Sequence, residues 1–195
     1  MSGITTHATA QGAPAGGGQE VLTLGGLAEK VSALRAAPTL AEVNAWLGTV
    51  VVTEDELRPH VSFKEGTYAR HRVRLSDHAE LLVLCWRPGQ RTPIHDHAGS
   101  FGAVRVLRGV MWETVFELES GDRGLAYARS REWLPGEITG ADVPDIHQLG
   151  NPDVSGQDLV TLHLYAPPLS SLNVYKVGRK EATSTLWMNS WNPTI

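Results

Sequence analysis

The chain has 195 residues, 42% of them hydrophobic and 19% charged, with a formal net charge of −4. That length suits one domain able to bury a core without staples, and the composition is ordinary for a globular protein. The acidic balance and the lack of a Lys/Arg cluster give no reason to expect nucleic acid as a partner, and no apolar run reaches membrane-spanning length.

Residues 1–18 are rich in Gly, Ala and Thr with almost nothing to bury, so a disordered tail is expected there and a single domain over 19–195. The N-terminus carries no basic segment followed by an apolar one, so no secretory signal is expected. From Val21 the pattern turns helical, with Leu24, Leu27, Val31 and Leu34 at three- and four-residue steps and Pro38 to close the element. Thr39 with Glu42 forms a capping-box signature that opens a second helix through Val43, Trp46 and Leu47. Thr53 with Glu56 repeats it, and Pro59 is expected to end that third, short helix.

After Val61 the texture changes to short runs of β-branched and apolar residues separated by turn residues. Strands are expected over 68–75, 80–86, 102–107, 110–118, 126–133, 136–138, 147–149, 159–164 and 172–177. Gly89, Pro93, Gly109, Gly121 and Pro135-Gly136 punctuate them at the interval of an antiparallel barrel. The fold expected is therefore dominated by β-structure: a small antiparallel barrel of jelly-roll type under a cap of short N-terminal helices. The single cysteine, Cys85, excludes an internal disulfide and suits a reducing, cytoplasmic setting. It lies within an apolar run and reads as a small core residue.

Of the eight histidines, His95, His97, His147 and His163 fall in strand-like segments. His95 and His97 are two apart, so a strand presents both imidazoles to one face. His147 supplies a third from a strand distant in sequence, which a barrel can bring opposite the pair. Gly89, His95, His97 and Gly109 stand at the spacings of the first cupin motif, and His147 with Asn151 matches the end of the second. The cupin pattern normally adds a glutamate ligand where this chain has Gly102, and Glu113 lies a strand away. The expected metal site is thus three neutral imidazoles, His95, His97 and His147, with one side left open for redox chemistry. Without a carboxylate the metal keeps its full charge, which favours an anionic thiolate. Three imidazoles also suit zinc, nickel or copper.

Further segments narrow the resemblance. Tyr68-Ala-Arg70, Leu84-Cys85-Trp86 with Pro93-Ile-His95-Asp-His97, Leu107-Arg-Gly109-Val-Met-Trp-Glu113-Thr, and Leu162-His163-Leu-Tyr165-Ala-Pro167-Pro168 stand in the order and near the spacing of type I cysteine dioxygenases. Together with the His147 segment, the chain over 68–168 resembles that family, and Arg70 with the missing cysteine at Gly102 resembles its bacterial, arginine-bearing members.

The resemblance implies an Fe(II) enzyme that oxidises L-cysteine with O₂ to cysteine sulfinate. It implies that Arg70 pairs with the substrate carboxylate, with Tyr68 beside it, and that a cis bond joins Ala166 to Pro167. Thr161, His163 and Tyr165 alternate along one strand and share a face, and the family places such a relay beside the iron. Gly102 stands where some mammalian members carry a cysteine linked to the tyrosine, so that link cannot form here.

Two rival readings remain. A mercaptopropionate dioxygenase shares the fold but tends to have glutamine at Arg70 and to lack the Ala-Pro-Pro run. A non-oxidising metal-binding cupin, an isomerase or a sensing module, has little use for the relay. The sequence leaves the oligomeric state open and is compatible with a monomer.

Overall fold

The structure, a computed structural model, describes residues 22–120, 124–141, 145–179 and 181–186. The tail expected over 1–18 lies outside them. Helix α1 (Leu24–Ala33) is capped by Thr23, whose side chain accepts the Gly26 N–H. Helices α2 (Leu40–Thr49) and α3 (Glu54–Leu57) both open with the expected capping boxes, Thr39 with Glu42 and Thr53 with Glu56.

Of the two prolines, Pro38 acts differently from expectation. α1 ends at a Leu34 cap, before Pro38 is reached, so that proline lies in the link. α3 does end short of Pro59, at Leu57, and Pro59 lies in the first turn of a 3₁₀ helix (Arg58–His60) that follows it. A proline is tolerated in a first turn because its missing N–H would have had no intrahelical acceptor.

Eleven strands follow among the described residues: β1 (Ala69–Leu75), β2 (Glu80–Trp86), β3 (Ile94–Asp96), β4 (Phe101–Arg108), β5 (Met111–Glu119), β6 (Gly124–Trp133), β7 (Ile138–Ala141), β8 (His147–Gly150), β9 (Leu159–Ala166), β10 (Ser171–Tyr175) and β11 (Thr183–Leu186). They form two antiparallel sheets, ordered β1-β2-β9-β4-β7 and β11-β10-β3-β8-β5-β6. This is the cupin double-stranded β-helix with N-terminal helices. Residues 136–137, expected in a strand, make a turn instead. Gly136 has φ 91° and its N–H bonds the Val106 carbonyl, so β7 begins only at Ile138. β11 has no sequence counterpart in the expectation, and among the described residues β10 is its sole sheet neighbour.

β2 and β9 lie in the interior of the first sheet and are buried along their whole lengths. Alternate residues therefore serve two different cores. Leu81, Val83, Cys85, Leu162 and Leu164 pack under Leu27, Val31, Val43 and Leu47 of the helices. Leu82, Leu84, Trp86, Leu159 and Tyr165 face the space between the sheets, with Val106, Met111 and Leu149. Parity along β9 carries Thr161 and His163 to that same inner side. No helix among the described residues is long and apolar enough to cross a membrane.

Cys85 is fully buried, and burial pushes its thiol up to about 11. The folded protein is therefore expected to be inert to a thiol reagent such as Ellman's at neutral pH and to release one equivalent of colour in denaturant. Fast reaction of the native protein would show that the helical cap opens readily.

Candidate metal centre and hydrogen-bond relay

Strand pairing brings the three histidines together. His95 lies on β3, His97 just beyond its end, and His147 opens β8 directly opposite His95 in register. The three rings form a near-equilateral triangle with centroids 5.1, 4.9 and 5.0 Å apart. All three are buried, and one nitrogen from each lies within 4.8 Å of the other two.

Outside contacts fix two of the tautomers. His95 Nδ1 lies 3.0 Å from the Pro93 carbonyl, and His147 Nδ1 lies 2.9 Å from Glu113 Oε1. Both partners only accept, so each Nδ1 carries the proton and each Nε2 is left with its lone pair. The Nε2 atoms of His97 and His147 are buried with no hydrogen-bond partner. Burial, the largest cause, pushes His95 down to about 3 and His97 well below its ordinary value. Neutral imidazoles with orphaned, converging nitrogens are what a metal ion requires. The donor set therefore fits a metal.

Glu113, a strand away in sequence, is not in the triangle. Across β5 and β8 it sits diagonal to His147 on the same face. Besides His147 it accepts from Trp133 Nε1 at 2.9 Å and Thr139 Oγ1 at 3.1 Å. Burial alone would raise its carboxyl, but the hydrogen bonds, led by His147, outweigh it and hold the group below the usual range. Asp145 Oδ2 is a second, longer neighbour of His147 Nδ1 at 3.3 Å.

Asp96, between His95 and His97 at the end of β3, points the other way and ties that strand down. It accepts from the Ala98 N–H at 2.7 Å, from Asn173 at 3.0 Å and from the Tyr175 hydroxyl at 2.6 Å. Sequence reasoning missed both supports. The signal for Glu113 was a carboxylate at an inward position two residues from buried Met111.

Thr161, His163 and Tyr165 line one face of β9. Thr161 Oγ1 is 2.7 Å from His163 Nε2, and His163 Nδ1 is 3.0 Å from the Tyr165 oxygen. The Tyr165 ring reaches the triangle, its centroid 5.1 Å from that of His97. Burial pushes His163 down to about 3 and raises the Tyr165 phenol far above its ordinary value, so both are neutral. Tyr165 lies opposite Gly102 in register, and a Cβ at Gly102 would stand 2.5 Å from Tyr165 Cδ1. The bare glycine backbone is the surface on which the tyrosine ring rests. The peptide between Ala166 and Pro167 is cis.

Arg70 pairs with Leu84 in register, which puts it on the inner face of β1, and Tyr68 stacks on Trp86 at 4.2 Å. The Arg70 guanidinium lies 5.8 Å from the Tyr68 ring centre. Burial lowers Arg70, while Tyr68, Glu80 and Tyr165 favour its charge. Glu80, buried opposite Tyr165, accepts from Arg72 Nε at 2.7 Å, a pairing the sequence did not suggest.

The chain is similar to known proteins over most of its length. The family model described as "Cysteine dioxygenase type I" matches residues 26–178. Cysteine dioxygenase type 1 of Danio rerio is 30% identical over 117 residues, covering 57% of this chain and 56% of that protein. The match thus spans little more than half the length of that relative. The Rattus norvegicus protein of the same name is 28% identical over 138 residues, covering 69% of this chain and 68% of its own. Among solved structures, a conserved protein with a double-stranded β-helix domain from Klebsiella pneumoniae has a TM-score of 0.48 at 18% identity, covering 62% of this chain and 94% of that one. The chain belongs to the cysteine dioxygenase type I family.

Proposed function

We propose that this protein is a thiol dioxygenase of the arginine-bearing branch, oxidising L-cysteine with O₂ to cysteine sulfinate in the cytoplasm, with Fe(II) held by His95, His97 and His147. One observation carries the reading: the orphaned nitrogens of the histidine triangle lie beside a tyrosine that ends a buried hydrogen-bond relay. When bound, Fe(II) would supply the redox centre at which a thiol and O₂ meet. The chain's own groups do the rest. Arg70 offers a guanidinium fork for the cysteine carboxylate, a charge-assisted contact with a fixed direction. Tyr68 supports that guanidinium through its ring face. Thr161 and His163 hold the Tyr165 phenol in one orientation, and burial keeps it protonated, so it acts as a hydrogen-bond donor toward the open side of the triangle. Tyr165 is 3% exposed and His163 1%, so bulk water does not compete for either.

The test is oxygen uptake by the Fe(II)-reconstituted chain with L-cysteine and mercaptopropionate in parallel. Uptake favouring cysteine, with sulfinate as product, is expected. Preference for mercaptopropionate would move only the substrate, whereas no uptake with either thiol despite bound iron would leave a non-oxidising metal-binding cupin. Arg70→Gln should raise the KM for cysteine about thirtyfold, roughly 2 kcal/mol for a hydrogen bond to a charged group. Binding of cysteamine, which lacks the carboxylate, should hardly change. If the variant handled cysteine normally, Arg70 would not be the carboxylate partner.

A further inference from the structure

The relay has a fourth member that the mechanism above does not use. Trp86, fully buried at the end of β2, places its Nε1 3.0 Å from Thr161 Oγ1. Its position is held from three sides. Tyr68 stacks on the ring at 4.2 Å with planes 24° apart, the Trp86 carbonyl accepts from buried Asn151 at 3.1 Å, and β2 pairs with β9 along its length.

An indole N–H only donates, so Thr161 Oγ1 must accept from Trp86. The hydroxyl has one proton of its own, and among the described residues its only other hydrogen-bond neighbour is His163 Nε2. Two arrangements are then open. In the first, His163 is protonated on Nε2. Thr161 oxygen would receive two N–H donors, its own proton would have no acceptor, and the Tyr165 proton would turn back toward His163 Nδ1. A buried donor without an acceptor costs its full desolvation. In the second, the Thr161 proton goes to Nε2, His163 carries its proton on Nδ1, and that N–H donates to the Tyr165 oxygen. The Thr161 proton then has its acceptor, and the proton not used within the relay is that of Tyr165, whose ring stands beside the histidine triangle.

We propose that Trp86 is the positioning residue that sets the direction of this chain, fixing His163 in its Nδ1–H form and so making Tyr165 a donor toward the metal side. The proposal rests on the dioxygenase reading for its catalytic meaning but not for its test. Trp86 also joins the two arms of the site, since its other contact, Tyr68, supports Arg70. The hydrogen bond and the stack can be separated, because phenylalanine keeps an aromatic face and loses only the N–H.

The experiment uses the full chain, labelled with ¹⁵N-histidine and loaded with diamagnetic Zn(II), and reads the His163 tautomer from long-range ¹H–¹⁵N correlations. The parent should show His163 protonated at Nδ1. Trp86→Phe should populate the Nε2–H form. In the iron-loaded protein it should lower kcat on the order of tenfold, with the KM for cysteine within about twofold. Should the phenylalanine variant not fold, β-(3-benzothienyl)alanine at position 86, with sulfur in place of the indole N–H, makes the same test at nearly constant volume. A parent protonated at Nε2 overturns the assignment, as does a folded variant that keeps His163 wholly in the Nδ1–H form. Absence of thiol oxidation in the parent bears on the dioxygenase reading alone, because the tautomer is measured without turnover.

Discussion

His147→Ala is expected to yield a folded protein that retains no iron. The imidazole is one of three nitrogens within 4.8 Å of one another, and the remaining pair, His95 and His97, comes from a single strand end. Two imidazoles from one strand hold a metal far less firmly than three from two strands. The loss in affinity should exceed the roughly 10–100-fold that follows from losing an outer hydrogen bond alone. The variant also takes a donor from Glu113, which keeps Trp133 and Thr139 as partners, so a modest stability cost of about 1–3 kcal/mol is expected. Metal analysis after gel filtration, beside circular dichroism and a thermal melt, checks both halves. Stoichiometric iron in a folded His147→Ala protein would remove His147 from the ligand set.

The second large effect is expected at Glu113, a residue that touches no substrate. Its carboxylate accepts from His147 Nδ1, Trp133 Nε1 and Thr139 Oγ1, all partly or fully buried. Truncation to alanine leaves these donors unpaired, at roughly 1–3 kcal/mol for each that water does not reach. Against a total stability of about 5–15 kcal/mol for a domain, Glu113→Ala should melt far below the parent. Glu113→Gln is the sharper probe because it keeps the volume. Its amide NH₂ can donate to His147 Nδ1, which drives the imidazole proton to Nε2, the nitrogen that must stay bare for metal. A fall of roughly 10–100-fold in Zn(II) affinity is expected from that exchange, measured by competition with a chelator. Unchanged affinity in Glu113→Gln would show that the His147 tautomer is set by something else, Asp145 being the next neighbour.

These two residues also mark where the sequence stops being readable. His147 was visible as a candidate ligand because its segment carries a recognisable pattern with Asn151. Glu113 was visible only as a spare carboxylate, and its part in orienting His147 depends on β5 pairing with β8 in one register. A shift of one residue would turn Glu113 to the other face and leave His147 Nδ1 without that partner. The same holds for Trp86. Its place in an apolar run says core, and only the pairing of β2 with β9 brings its N–H to Thr161.

What the sequence determined by itself is whatever depends on local period and local chemistry. The capping boxes of Thr39 and Thr53 were readable because both partners lie within four residues. The shared faces of His95 with His97, and of Thr161, His163 and Tyr165, follow from the two-residue repeat of a strand. Prolines and glycines were less reliable guides. α1 ended before Pro38 was reached and Gly136 made a turn where a strand was expected, since neither residue's effect is decided by its own backbone alone. β11 was illegible because its residues become a strand only through β10. The tertiary structure decided the pairings between distant strands: His95 opposite His147, Glu113 diagonal to His147, Gly102 beneath Tyr165. These pairings depend on register and closure of two sheets, which are long-range quantities. They determine which buried nitrogen keeps its lone pair, and therefore where a metal can bind.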